Sequence, residues 1–220
     1  MSSVIRKYAA LCIVCLCSSL FFLGLYHFDN KYSQNTIQAA NGILALSEND
    51  LKKSPVRFLV SGWEFYPDAL LTPEEIQDSD HYMRYLSIGE MSNFSSPADS
   101  SPYGCGTYRM TFFLPERKEA YAIELPEVFS SYTLYLDHDR ILQLGDPEQR
   151  IPLIQNRMVT FYGGKPVTLT IAVSNYDHFY GGIVYPPAFG TMLAVNTSRG
   201  IRFAFCLFSC TVTFVCALLS

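Results

Sequence analysis

The chain has 220 residues, of which 49% are hydrophobic and 16% charged, with a formal net charge of −4. Residues 29–200 hold 13 Lys and Arg against 20 Asp and Glu, a balance of −7. That balance excludes nucleic acid and anionic lipid headgroups as electrostatic partners, and the length suits one domain with flanking segments.

Arg6 and Lys7 precede an uncharged run from Tyr8 to Tyr26. The run is close to the ~20 residues that a helix needs to cross ~30 Å of hydrocarbon. Residues 1–28 therefore read as a membrane anchor or a signal segment. The run is long for a signal sequence and Cys17-Ser18-Ser19 is a loose cleavage site, so both readings stand. Basic residues favour the cytoplasmic side, which puts residues 29–200 outside the cytoplasm; Arg199 and Arg202 run against the rule.

Residues 29–55 are polar, with weak helical periodicity, and read as a juxtamembrane linker. From Val56 the pattern changes to period two. Tyr108, Met110, Phe112 and Leu114 share one face of a predicted strand, as do Tyr121, Ile123 and Leu125, and Tyr132, Leu134 and Leu136. The clearest alternation sets Val167, Leu169, Ile171 and Val173 against Thr168, Thr170 and Ala172. Turn signals at Leu114-Pro115-Glu116, Asp137-His138-Asp139, Gly145-Asp146-Pro147 and Tyr162-Gly163-Gly164-Lys165 separate the strands. The expected fold class is all-β, a jelly-roll β-sandwich over residues 56–198 flanked by transmembrane helices.

From Phe203 to Leu219 the chain again carries no charge, and residues 201–220 read as the start of a multi-helix membrane domain. Ser209, Thr211, Thr213 and three cysteines there suit packing against neighbouring helices better than lipid alone. Cys105 is the one cysteine of seven outside the apolar runs, so the outer domain forms no internal disulfide. An exported domain without disulfides points to a bacterial membrane, and the sequons at Asn93 and Asn196 then read as coincidence.

The chain offers little for catalysis. His27, His81, His138 and His178 show no nucleophile–base spacing, and no phosphate loop, zinc motif or Gly-x-Ser-x-Gly occurs. The expectation is a domain that is not an enzyme and needs no cofactor. Trp63, Tyr103, Tyr176 and His178 are the candidate ligand residues, because aromatic faces and an imidazole supply a stacking surface and directed hydrogen bonds. The fitting ligand is small, neutral and saccharide-like. Against this stand a core role for Trp63 and ordinary loop positions for the others. Arg109, on the polar face of its strand, reads as the partner of a carboxylate. Asp137-His138-Asp139 has metal-like composition but reads as a solvated hairpin tip, and Asp99 or Asp146 could serve a structural calcium.

The order Gly42-Ile43-Leu44-Ala45-Leu46, Gly62-Trp63-Glu64-Phe65-Tyr66, Leu70-Leu71-Thr72-Pro73, Gly106-Thr107-Tyr108-Arg109, Leu134-Tyr135-Leu136, Val173-Ser174-Asn175-Tyr176 with His178, and Gly181-Gly182 resembles a known family. It is similar to the ectodomain of bacterial seven-transmembrane receptors with diverse intracellular signalling modules, a galactose-binding-like jelly roll. The resemblance runs from about Ala40 to Ser220. It implies six further helices and a cytoplasmic output such as a histidine kinase or diguanylate cyclase. Two departures set this chain apart: Asp137-His138-Asp139 replaces the family's Asn-Gly tip, and Pro186-Pro187 is inserted before Phe189-Gly190. The expected function is an extracytoplasmic sensory domain in the bacterial cell membrane. The alternatives are a membrane-anchored carbohydrate-binding module of a cell-surface enzyme and a structural spacer that makes homodimer contacts.

Overall fold

The computed structural model describes residues 2–32, 36–78, 80–89, 94 and 101–219. They fall into two units, residues 1–34 and 35–220. The first unit is the helix α1 (Ser2–Asp29), whose stretch Ile5–His27 is long and apolar enough to cross a membrane.

The second unit is a β-sandwich. One sheet is seven-stranded, in the order β4 (Arg84–Leu86), β3 (Trp63–Pro67), β5 (Gly104–Phe113), β10 (Val167–Asn175), β7 (Ser131–Leu136) and β8 (Asp139–Leu144), with β1 (Ile43–Ala45) also on β5. The other is four-stranded, in the order β2 (Val56–Phe58), β11 (Ala188–Thr191), β6 (Tyr121–Leu125) and β9 (Arg157–Phe161). Pairing is antiparallel except for β1, which runs parallel to β5. The links β5 to β6, β6 to β7, β8 to β9, β9 to β10 and β10 to β11 each cross between the sheets.

Register explains why the alternating residues meet. Phe65, Tyr108, Ile171, Leu134 and Leu142 lie opposite one another along one row across five strands. In the facing sheet Phe189, Ile123 and Val159 form the matching row. A strand's side chains alternate between faces, so these rows close into one core. The expected core residues Tyr108, Met110, Phe112, Leu134, Leu169, Ile171 and Val173 are all buried, and Leu136 packs at the margin.

Three features depart from the sequence expectations. Residues 43–53, inside the stretch expected to be a linker, form β1 and the helix α2 (Glu48–Lys53), and Leu44, Leu46 and Leu51 are buried. The apolar run Ile43–Leu46 supplies two of these anchors, but it is short and set among polar residues, too little to establish a period. Second, the outer face of the larger sheet is covered. Thr107 Oγ1 donates to Ala69 O at 2.8 Å and accepts from Leu71 N at 2.9 Å, and Leu71 is buried there with Thr170 and Ala172. The covering segment leads into the helix α3 (Pro73–Asp78), whose Glu75 and Thr72 cap each other's backbone N–H. Small side chains on that sheet face let the segment approach.

Third, β11 passes directly into the helix α4 (Met192–Leu219). The helix therefore starts before residue 198, the expected end of the sandwich, and its first turns lie on the four-stranded sheet. Its stretch Met192–Val215 is long and apolar enough to cross a membrane.

Candidate functional site

The two ends of the sandwich differ in chemistry. One end is built from the links 126–130, 145–156 and 176–187, which leave Leu125, Leu144 and Asn175 respectively. Asn175 is buried and fixes the last of these: its Nδ2 donates to Pro102 O at 2.8 Å and to His178 O at 2.7 Å, and its Oδ1 accepts from His178 N. The short amide closes a turn that the chain could not otherwise hold. Gly182 follows with φ of +79°, a conformation that favours glycine, and a Cβ there would strike the Tyr108 hydroxyl.

Aromatic rings crowd this end, but they face one another. His178 stacks on Phe129 at 4.6 Å and 11°, and Tyr180 packs against both. The guanidinium of Arg150 lies 3.8 Å from the centroid of Tyr176. Tyr103 is half exposed on the neighbouring approach to β5. Thus Tyr103, Tyr176 and His178 share one end of the sandwich, as the loops after β4 and β10 lead them to, yet two of the three rings already have a partner on one face.

Trp63 does not join them. It is 0% exposed, its Nε1 donates to Leu59 O at 3.0 Å, and its ring meets Tyr108 edge-on at 6.3 Å. This corrects the expectation of a stacking platform: on a central strand of a two-layer fold, the position opposite Leu86 points into the core.

The opposite end carries a groove of about 570 Å³. Ser47, which caps α2, Asp50 within it, Phe113 to Pro115 at the end of β5, and Gly164 to Pro166 between β9 and β10 line it. Phe113 and the prolines give flat apolar faces, while Ser47 and Asp50 are held by a capping box. The volume falls in the range of small-molecule sites, and the groove is shallow and open to solvent. Arg117 beside Glu48 ties α2 to the link after β5 and holds the Glu48 carboxyl below its usual range. The sequence does not announce this groove, because its parts lie in the stretch expected to be a linker and in two links that cross between the sheets.

The link 114–120 connects the groove to α4. Tyr121 Oη donates to Pro115 O at 2.9 Å. The first amides of α4 end on the same link: Met192 N donates to Ala120 O at 2.9 Å and Leu193 N to Glu119 Oε1 at 2.8 Å. A carboxylate at a helix N-terminus satisfies an otherwise orphaned N–H and the helix dipole together. Farther along, Val195 is buried, Arg199 Nε lies 3.5 Å from Glu124 Oε1, and Arg202 sits 4.9 Å over the Phe58 ring.

Arg109 pairs with Glu64 at 3.0 Å, as its strand position suggests. Asp137 and His138 form a two-residue hairpin tip, with Asp137 at φ of +53° and His138 Nδ1 at 2.8 Å from Glu74 Oε1. Asp146 Oδ1 accepts from Glu148 N and Gln149 N, closing its own turn. Among the described residues no cluster of metal-ligating side chains occurs, and Asp99 lies outside them.

No protein-family model and no curated protein matches the chain. Among solved structures it is similar to a glycosyl hydrolase family 2 member from Bacteroides cellulosilyticus at 13% identity and TM-score 0.48, over 62% of this chain and 20% of that one. A Faecalibacterium prausnitzii beta-glucuronidase gives 15% and 0.44, over 63% and 32%. A GH2 beta-galacturonidase from Eisenbergiella tayi, bound to galacturonate, gives 13% and 0.41, over 61% and 24%. The chain thus spans a third or less of the length of these structures, and likeness at this level carries no argument about ligand or activity.

Proposed function

We propose that the sandwich is the extracytoplasmic sensory domain of a bacterial membrane signalling receptor. In this reading the groove takes a small neutral ligand of the saccharide class, and α4 carries the response across the membrane. The observation that carries it is the link 114–120, which lines the groove with Leu114 and Pro115 and holds the first amides of α4 with Glu119 and Ala120. A ligand that packs against Pro115 acts on the helix start through a few bonds. No flexible tether intervenes, since β11 ends at Thr191 and α4 begins at Met192. The −7 balance of residues 29–200 supports a neutral ligand over an anionic one. The cytoplasmic output is of the kind that the receptor resemblance implies.

The test screens the chain in nanodiscs against a saccharide panel by thermal shift, then measures hydrogen exchange in residues 192–202 for every hit. Phe113→Ala and Lys165→Ala should abolish the shift, while His178→Ala should leave it. The reading predicts altered protection in residues 192–202 on binding. Binding that leaves this segment unchanged would favour an anchored carbohydrate-binding module. A shift lost in His178→Ala and kept in Phe113→Ala would return the ligand to Tyr103, Tyr176 and His178.

A further inference from the structure

The direction in which α4 leaves the sandwich gives its aromatic end a second role. The helix starts beside Ala120, passes Glu124 with Arg199 and reaches Phe58 with Arg202. It therefore runs from the groove end toward the end formed by links 126–130, 145–156 and 176–187. Glu124 and Phe58 both lie opposite Ala188, at the edge of the strands from which those links depart. Phe203 follows at once and opens the uncharged stretch. If that stretch enters the bilayer, as the receptor reading requires, no spacer lifts the sandwich away from it. The headgroup zone is only ~5–7 Å deep on each side, so the links project into it.

Their exposed side chains suit that place. Ile151, Leu153 and Ile154 follow closely in one link, and Tyr176, Phe179 and Tyr180 in the other. Phe179 is 75% exposed, and its ring meets Tyr180 edge-on at 5.6 Å. Tyrosines are enriched at the level of lipid headgroups, where an apolar ring and a polar hydroxyl are both accommodated. The same links carry Glu127, Asp146, Glu148 and Asp177 against Arg150, with Arg157 adjacent, so anionic lipid offers no attraction. We propose that this end of the sandwich rests on the lipid interface, with Leu153 and Phe179 inserted among zwitterionic headgroups, and that the contact fixes the tilt of the sandwich on α4.

The proposal depends on α4 spanning the membrane, and the experiment separates the two. The chain is reconstituted in phosphatidylcholine nanodiscs with and without brominated acyl chains. Single tryptophans are added as Leu153→Trp, Phe179→Trp, Lys118→Trp at the groove end, and Phe208→Trp within α4, with the buried Trp63 as common background. Leu153→Trp and Phe179→Trp should show blue-shifted emission that brominated lipid quenches, Lys118→Trp should show neither, and Phe208→Trp should be quenched. Quenching at Phe208→Trp without quenching at Leu153→Trp and Phe179→Trp overturns the lipid contact and leaves the span standing. A blue shift there without quenching means that protein covers the rings, which also overturns it. Absence of quenching at all four sites removes the span itself.

Discussion

Thr170 shows how a residue can be read correctly for its strand and wrongly for its surroundings. It alternates with Leu169 and Ile171, and all three are fully buried, because the segment around Leu71 covers the outer sheet face. Its hydroxyl has no partner among the described residues. Thr170→Val should therefore leave stability unchanged or raise it by about 1 kcal/mol, since it removes an unpaired buried polar atom. Leu169→Ala should lower it by about 2–5 kcal/mol, the usual range for a truncated core leucine. Urea unfolding of the three proteins decides the matter, and a loss in Thr170→Val comparable to that in Leu169→Ala contradicts the assigned faces. Arg57 is the residue that no pattern announces. It is 1% exposed, and its guanidinium donates to Asp50 O, Ser54 O and Ile37 O, so it closes the C-terminal end of α2. Burial lowers its pKa. Arg57→Met should cost about 3 kcal/mol or more by stranding carbonyls, and Arg57→Lys should not recover it, because an ammonium cannot span the same acceptors. Tyr108 and Tyr132 report on pH. Burial pushes both phenols up from 10.0 to about 12. Their folded values lie above the unfolded ones, so their contribution is complete below pH 10.0 and is lost as pH rises toward about 12. Tyr132→Phe should flatten that alkaline loss without weakening the protein at neutral pH, as denaturant midpoints across the range would register.

At the scale of elements, the strands were legible and their neighbours were not. Period-two runs announced β5, β6, β7 and β10, because each turns one face to the core. Glu74 and Glu75 behind Pro73 lie in the first turn of α3, where the helix dipole favours carboxylates. By contrast β1 has three residues and α2 six, too few to establish a period. The boundary between sandwich and α4 was hidden because Met192–Arg202 mixes apolar and polar residues, as a helix packed on a sheet must. Of the site residues, Tyr103, Tyr176 and His178 were placed at one end by their strand termini, whereas the groove depends on contacts between distant segments. The docking of α4 gives an element-scale prediction. The Arg199–Glu124 pair is half exposed and contributes about 0–1 kcal/mol, so Val195 against Gly190 is the anchor. Gly190→Val should lift the helix, because its side chain meets Pro55 O and Val195. Hydrogen exchange in residues 193–200 should rise sharply in Gly190→Val and barely in Arg199→Ala. Equal exchange in both would show that the charge pair holds the helix.

For the whole molecule, the proposed arrangement is a sandwich outside the cytoplasm, joined without a tether to a helix that crosses the membrane. Arg6 and Lys7 before the first uncharged run, the second uncharged run after Arg202 and the direct passage from β11 into α4 all favour it. Cys105 is a poor reporter of that arrangement, since its thiol is half-buried and burial raises its pKa, which slows reaction. Lys118 is exposed on the link between groove and helix and gives a better one. The direct test is labelling of Lys118→Cys by an impermeant maleimide in intact bacteria, with all other cysteines replaced and access confirmed in denatured protein. Labelling in intact cells is the predicted result; labelling only after the membrane is permeabilised would contradict the account.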